Sequence, residues 1–212
     1  MPYEEDIFLT PIRDKIDYVR VLLHAARALL INVGTAGVET SVSIKVLVSK
    51  MSRLFVYKDG KFYSISFPLN LQDSGNTVLS MKTRIGTEIS SQSISSALSI
   101  LEDQKFLLKP SPIDYFLSKD SLDGSGLYLL EEMFLFEPSY IRYDLDPKHE
   151  KGRRHPLHHL DVNYSPYGTY KIGLEKAIGE DYFVDILNTL TDCSFIEGDK
   201  PRASSRKKSA RK

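Results

Sequence analysis

Hydrophobic positions near the N-terminus recur at helical spacing. Apolar residues stand at steps of three and four between Ile12 and Leu30, which is the spacing of one buried helix face. Thr10 and Pro11 precede them; Thr is a favourable N-cap, and Pro is favourable at the first helical position. The pattern therefore predicts a first helix over residues 11–32.

The following segment changes to a period of two, which is typical of strands. Two runs of β-branched and aromatic residues then flank Asp59-Gly60, and an Asp-Gly pair in this position is a strong hairpin signal. A later Ser-rich segment returns to helical spacing. The predicted elements are strands at 40–48, 54–57, 62–67 and 77–85 and a helix at 91–104.

Pro and Gly interrupt the pattern between residues 107 and 126, which predicts a long connection with one helical turn at Ile113–Leu117. Four short strands are predicted after it, at 127–137, 140–145, 157–164 and 169–172, followed by a helix at 180–191 with Phe183, Ile186, Leu187 and Leu190 facing inward. These elements predict an α+β fold, an antiparallel β-sheet packed by about three helices. We expect one domain over residues 1–199, with 107–126 as the place where it could divide.

The composition narrows the class of protein. The chain has 212 residues, of which 42% are hydrophobic and 26% charged, and these values exclude a collagen-like or wholly disordered chain. The single cysteine, Cys193, cannot form an intramolecular disulfide, and the acidic first residues do not resemble a signal peptide. The apolar stretch 19–33 is interrupted by polar residues, so we expect a cytoplasmic protein without a membrane span.

The charge is distributed unevenly along the chain. Residues 200–212 carry seven basic and no acidic residues, which leaves 21 basic against 28 acidic residues in 1–199, a net charge of −7. This composition predicts a disordered basic tail on an acidic domain. The tail is inert, or it is an arm that reaches either phosphates on nucleic acid or an acidic partner surface. Its candidate nucleic-acid-binding residues are Arg206, Lys207, Lys208, Arg211 and Lys212.

Histidines cluster late in the chain: His149, His155, His158 and His159 fall within eleven positions. In an extended 157–164 segment, His159 and Asp161 share one face, while Leu160 and Val162 mark the buried face. In the preceding strand, Arg142 and Asp144 lie opposite the apolar set. If the two strands are neighbours, Arg142, Asp144, His159 and Asp161 converge on one polar surface.

Three interpretations of this cluster remain open. In the first, His159 is a general base or acid, Asp144 or Asp161 orients it, and Arg142 stabilises phosphoryl charge, as metal-independent RNA cleavage requires. In the second, His155, His159 and Asp161 bind a divalent metal, although their spacing matches no standard motif. In the third, the imidazoles satisfy buried carbonyls and the Arg-Asp pair is an ordinary cross-strand ion pair.

The motif Arg142-Tyr143-Asp144, followed by His155-Pro156-x-x-His159-Leu160, resembles an uncharacterised bacterial domain family over residues 140–190. Over residues 140–162 it also resembles the TumE-like toxin components of toxin-antitoxin pairs. The resemblance implies a small bacterial effector or accessory protein encoded beside a protein partner. Position by position it points to Arg142, Asp144, His155 and His159, while Asp161 stands where those patterns tend to have a final histidine.

Two functions follow as expectations. The first is a toxin-like or anti-phage defence effector that acts on RNA or DNA, with no resident cofactor. The second is a noncatalytic accessory subunit that binds a larger enzyme or ATPase. The acidic domain argues against a free nuclease, which usually presents a basic cleft. An open cleft at the histidine cluster favours catalysis, whereas a flat apolar patch favours a binding module.

Overall fold

A computed structural model describes residues 2–31, 42–58, 60–73, 79–118 and 124–196. Its helices are α1 (Pro2–Leu9), α2 (Lys15–Ile31), α3 (Ser91–Glu102), α4 (Gln104–Leu108), α5 (Pro112–Leu117), α6 (Gly124–Leu135) and α7 (Glu180–Asp185), with a 3-10 turn at Gly152–Arg154. Its strands are β1 (Ser43–Leu47), β2 (Arg53–Lys58), β3 (Lys61–Ser66), β4 (Leu69–Asp73), β5 (Leu79–Thr83), β6 (Ile141–Leu145), β7 (His158–Val162) and β8 (Tyr170–Leu174).

Six strands form the main sheet, in the order β1-β2-β3-β6-β7-β8, and every neighbouring pair is antiparallel. β4 and β5 form a separate antiparallel pair. The predicted α+β fold with an antiparallel sheet is confirmed. The described ranges contain seven helices. No helix within those ranges has the length and apolar character needed to cross a membrane.

The main sheet separates two hydrophobic cores. Helices α2, α3 and α6 pack on one another, and their core includes Leu54, Val56 and Ile65 of the sheet. The smaller core lies on the opposite face, where Phe183 of α7 packs edge-on against Phe55 and Phe62. Alternate residues of β2 and β3 therefore face different cores, as the period of two predicts.

The central hairpin follows its sequence signal. β2 and β3 pair with Lys58 opposite Lys61, and Gly60 in the turn has φ +70°, a backbone conformation that glycine adopts without a steric penalty. The predicted strands 140–145, 157–164 and 169–172 appear as β6, β7 and β8.

The prediction of one helix over 11–32 was wrong at its start. The Thr10 hydroxyl donates to the carbonyl oxygen of Asp6 at 3.0 Å, so Thr10 closes α1 instead of capping the next helix. Asp14 takes the capping role for α2, because its Oδ1 accepts from the backbone N–H of Asp17 at 2.9 Å. The predicted stop at Asn32 and strand start at Thr40 lie outside the described residues.

The predicted strand at 127–137 was also wrong, because residues 127–135 belong to α6. Leu127, Leu130 and Met133 are buried at helical spacing, a pattern that a short apolar run does not distinguish from a strand. Gly126 permits the close packing of α6 on α3: a Cβ at that position would lie 2.5 Å from Ser96 Oγ. At the C-terminus α7 is shorter than predicted, and Leu190 is exposed.

Candidate functional site

The registers of β6, β7 and β8 place six polar or small residues in two rows on one face of the sheet. Arg142 stands opposite Asp161, which stands opposite Lys171. In the adjacent row Asp144 stands opposite His159, which stands opposite Gly173. The sequence-predicted neighbours Arg142, Asp144, His159 and Asp161 are thus brought together, because β6 and β7 pair directly.

Arg142 joins the two carboxylates. Its Nη2 lies 2.6 Å from Asp144 Oδ2 and 2.6 Å from Asp161 Oδ2, and its Nη1 lies 3.3 Å from the Tyr140 hydroxyl. Lys171 Nζ donates to Asp161 Oδ1 at 2.6 Å. Two cations therefore balance two buried carboxylates, which is the condition under which charges are tolerated in a protein interior.

The ion pairs also set the protonation of Asp161. Burial raises the pKa of this carboxyl, but the hydrogen bond from Lys171 and the charges of Arg142 and Lys171 outweigh burial, and the net pKa is lowered. Asp161 is consequently held as the carboxylate, the form that both cations require.

His159 is fully buried, with 0% of its surface exposed. Its Nδ1 lies 2.8 Å from the Pro156 carbonyl oxygen, and its Nε2 lies 3.0 Å from Lys171 Nζ. Because a carbonyl only accepts, Nδ1 carries the proton and donates, and Nε2 accepts from the lysine ammonium. The nearest oxygens of Asp144 and Asp161 lie 3.9 and 3.8 Å from Nε2.

The expectation that His159 and Asp161 stand on the less buried face of β7 was wrong, although the strand parity is as predicted. Leu160 is 9% exposed, whereas His159 is 0% and Asp161 1% exposed. The physical reason is pairing: β7 is flanked by β6 and β8, and the ionic row on its polar face is closed by Arg142 and Lys171.

Gly173 determines how closely Pro156, whose carbonyl binds His159, can approach β8. A Cβ at Gly173 would lie 2.8 Å from Pro156 Cγ, so Pro156 packs directly on the bare glycine backbone. Pro156 supplies the carbonyl that binds His159 Nδ1. The glycine thus allows the loop before β7 to approach closely enough to fix the imidazole.

The remaining histidines lie around the network rather than in it. The His155 ring packs edge-on against His159 at 4.8 Å between centroids, and its Nε2 lies 3.2 Å from Asp146 Oδ2. His149 Nδ1 also lies 3.0 Å from Asp146. His158 points to the other face, where its Nδ1 is 2.9 Å from the Tyr143 hydroxyl.

One group in the described ranges has the spacing of a metal site, namely Asp144, His159 and Asp161, whose ligand atoms all lie within 4.8 Å of one another. This differs from the predicted set, because His155 turns its Nε2 to Asp146. Lys171 occupies the ligand atoms of His159 and Asp161, so a divalent ion would have to displace an ammonium from this group.

The network borders a cleft of about 400 Å³. Arg142 and Asp144 form part of its wall, but His159 is absent from the described residues that line it. Asp144 Oδ1 and Arg142 Nε are buried without hydrogen-bond partners. The other lining residues are Phe8, Leu9, Thr10, Pro11, Val56, Lys58, Lys61, Phe62, Tyr63 and Tyr140.

Three cationic residues that the sequence analysis did not single out belong to this region. Lys58 and Lys61 are exposed at the cleft, and within the described residues neither has an ion pair. Lys171 completes the buried network. Pairing the predicted strands 157–164 and 169–172 in register would have placed Lys171 opposite Asp161, but Lys58 and Lys61 gave no signal beyond the hairpin.

Comparison with known protein families, with curated proteins and with solved structures gives no match. The fold and the local geometry are therefore the basis for a functional argument. The candidate nucleic-acid-binding residues of the tail, Arg206, Lys207, Lys208, Arg211 and Lys212, lie outside the described residues.

Proposed function

We propose that the protein is a nucleic-acid-directed effector that binds RNA phosphates in the cleft beside β6 and cleaves the chain without a metal ion. The observation that carries the proposal is the placement of Arg142 and Asp144 in the wall of a cleft that also presents Lys58 and Lys61. A fixed guanidinium, a carboxylate and two exposed ammonium groups can together bind a phosphodiester and move the protons of its cleavage.

Phosphate binding is the first step. Lys58 and Lys61 stand opposite each other in the hairpin, and Asp144 stands opposite Lys61 on the next strand. Their ammonium groups supply positive charge at the open side of an otherwise acidic domain, and each neutralised phosphate adds affinity that falls with salt. Tyr63 and Tyr140 form part of the buried wall of the same cleft.

The chemistry assigned to the cleft is attack by the RNA 2′-hydroxyl. Asp144 Oδ1, which is buried in the cleft wall without a hydrogen-bond partner, accepts the hydroxyl proton once bound RNA displaces the side chains that cover it. The 2′-oxygen forms a bond to phosphorus, and the bond to the 5′-oxygen breaks as the Lys61 ammonium donates a proton to it. The proton on Asp144 then passes to the Lys61 amine through water, which restores both groups. Arg142 compensates the negative charge on the phosphoryl oxygens. The products are a 2′,3′-cyclic phosphate and a free 5′-hydroxyl.

His159, Asp161 and Lys171 are positioning residues in this proposal. His159 is buried behind Lys171 and does not line the cleft, so the proton-accepting role considered for it is assigned to Asp144 instead. Asp161 pairs with Arg142 Nη2, the nitrogen that also pairs with Asp144. A guanidinium held on two sides needs little reorganisation when charge develops nearby.

The toxin-like or anti-phage setting rests on the motif around Arg142-Tyr143-Asp144 and His155-Pro156-x-x-His159. In that setting a protein partner restrains or assists the effector, and the basic tail adds affinity for the nucleic acid.

The test is cleavage of a labelled single-stranded RNA by the purified full chain in the presence of EDTA. We expect a 2′,3′-cyclic phosphate product and a rate loss of at least about 100-fold in Asp144→Asn. Lys105→Gln, at an exposed position on α4, is the matched control. Full activity in folded Asp144→Asn, or strict dependence on added metal, would overturn the proposal.

A second candidate function, the accessory subunit, is favoured by a different surface. Exposed apolar side chains of α5 and α6 line a groove of about 160 Å³ that includes Phe116, Leu117 and Tyr128. Apolar patches of this kind mark protein interaction sites. A Phe116→Ser/Leu117→Ser variant that keeps RNA cleavage but no longer co-purifies with a host protein would support this function, whereas unchanged co-purification would exclude this groove.

A further inference from the structure

Arg53, at the start of β2, is a buried cation with an unusual set of partners. Only 2% of its surface is exposed. Its Nε donates to Ser64 Oγ at 2.8 Å, its Nη1 to Ser139 Oγ at 3.1 Å and its Nη2 to the Ser139 carbonyl at 2.7 Å. Within the described residues no carboxylate pairs with it. A guanidinium has five N–H donors, so part of its hydrogen-bonding capacity remains unused.

Arg142 differs from Arg53 in having carboxylate partners. The Arg142 side chain is more exposed than Arg53, yet two carboxylates lie 2.6 Å from its Nη2. Burial of an unpaired charge is costly, and here burial lowers the pKa of Arg53 to about 10. The two arginines also point to opposite faces of the main sheet, because Arg142 aligns with Val56 whereas Arg53 has the parity of Phe55.

A pocket of about 440 Å³ lies beyond the residues that cover this guanidinium; Arg53 itself is not among the described lining residues. Met51 and Ser139, the two residues whose side chains contact Arg53 Nη1, are both part of its wall. Lys50 and Arg84 line the same pocket and are exposed, and the Arg84 guanidinium lies over the Phe136 ring at 5.6 Å. Glu137 is the one acidic residue among the described lining residues.

We propose that this pocket binds a small phosphate-bearing ligand, with Arg53 as its buried anchor and Lys50 and Arg84 as the cations at its mouth. The three cations exceed the single carboxylate of Glu137 by two charges, which suits a phosphate dianion. The phosphate replaces Ser139 Oγ as the acceptor of Arg53 Nη1, because a charged acceptor binds a guanidinium more strongly than a hydroxyl does. This site is independent of the proposed RNA cleft.

The backbone at Ser139 fits such an exchange. Ser139 has φ +46°, a left-handed conformation that is rare for a residue other than glycine, asparagine or aspartate. Both of its oxygens are committed to Arg53. A ligand that takes over the contact with Nη1 frees the hydroxyl to rotate while the carbonyl continues to accept from Nη2.

Isothermal titration of the full chain with inorganic phosphate at pH 8 and constant ionic strength tests the proposal. We expect saturable binding, weakened at least tenfold in Lys50→Gln/Arg84→Gln, whose changes are at exposed positions and leave the core intact. Arg53→Met should abolish the binding, and Arg53→Lys should keep part of it. Lys58→Gln/Lys61→Gln, in the other cleft, should bind phosphate as the wild type does.

The outcomes separate the two sites. Phosphate binding that disappears in Lys58→Gln/Lys61→Gln and persists in Lys50→Gln/Arg84→Gln would assign phosphate to the RNA cleft and overturn the inference. A non-saturable response that is equal in all folded variants would overturn it as well. If Arg53→Met does not fold, the Lys50→Gln/Arg84→Gln result alone decides.

Discussion

Arg142 and Asp161 stand directly opposite each other on β6 and β7, and Arg142 Nη2 lies 2.6 Å from Asp161 Oδ2. The same nitrogen lies 2.6 Å from Asp144 Oδ2, so one guanidinium links a carboxylate that is deep in the sheet to one that lines the cleft. The consequence is a fixed charge arrangement, in which Asp161 sets the position of Arg142 and of Asp144 in the cleft wall.

The buried side chain of His159 is expected to contribute to the free energy of unfolding. His159→Ala removes a buried side chain that donates to the Pro156 carbonyl and accepts from Lys171, so the carbonyl loses this donor and Lys171 keeps only its contact with Asp161. The expected loss is about 2–4 kcal/mol of unfolding free energy. Urea denaturation measures it, and a change below about 0.5 kcal/mol, the range of ordinary surface substitutions, would contradict the assignment of His159 as a buried positioning residue.

Gly173→Ala tests whether the packing of Pro156 on Gly173 positions the carbonyl that binds His159. The added Cβ would lie 2.8 Å from Pro156 Cγ, so the loop that carries the Pro156 carbonyl must move. We expect destabilisation of about 1–3 kcal/mol, as for other overpacked sites, together with reduced RNA cleavage. The matched control is Gly179→Ala, where the Cβ meets nothing within 4 Å and φ is −90°. Equal thermal midpoints for the two variants would show that Pro156 is not held by this contact.

Strand parity alone predicts that Arg142, Asp144, His159 and Asp161 lie on common faces, because the period of two is fixed by the backbone. Burial was not predictable in the same way. It depends on which strands flank β7, and the partner of Asp161, Lys171, comes from a strand whose pairing the local sequence does not specify.

Two other elements and the cleft also depend on long-range packing that the local sequence does not specify. The spacing of the leucines in 127–137 is compatible with a strand and with a helix. The helix is favoured by its packing on α3, which the missing side chain of Gly126 permits. A Thr hydroxyl can form hydrogen bonds at either end of a helix. The Thr10 hydroxyl donates to the carbonyl of Asp6 and therefore lies at the end of α1. The cleft itself requires the connection between α1 and α2 to lie beside β3 and β6, a long-range arrangement without a sequence signature.

The acid sensitivity of the fold should depend on Asp161. Its pKa is lowered in the folded state because Lys171 and Arg142 outweigh burial, so its stabilising contribution is present above the unfolded pKa of about 3.9 and is lost as pH falls through the lower folded value. Asp161→Asn should therefore be less stable than the wild type at pH 7, and the difference should shrink by pH 3. A difference that stays constant between urea titrations at these pH values would contradict the ion pairing.

Deletion of residues 200–212 should leave the unfolding midpoint unchanged, because this segment contains no apolar residue larger than alanine. RNA affinity should fall, and its dependence on salt should become shallower, since seven basic residues are removed. Binding to a short RNA at two salt concentrations checks both effects. Unchanged affinity and salt dependence would leave the tail without a role in nucleic-acid binding.

The central claim is that the cleft beside β6 holds RNA phosphates, and the most direct measurement is the RNA affinity of Lys58→Gln/Lys61→Gln by fluorescence anisotropy across a salt series. The slope of log affinity against log salt should become less negative by about 1.4, since each lost phosphate contact on a single strand accounts for about 0.7. Lys105→Gln should bind as the wild type does. A double variant that binds RNA with the affinity and salt slope of the wild type would contradict the account.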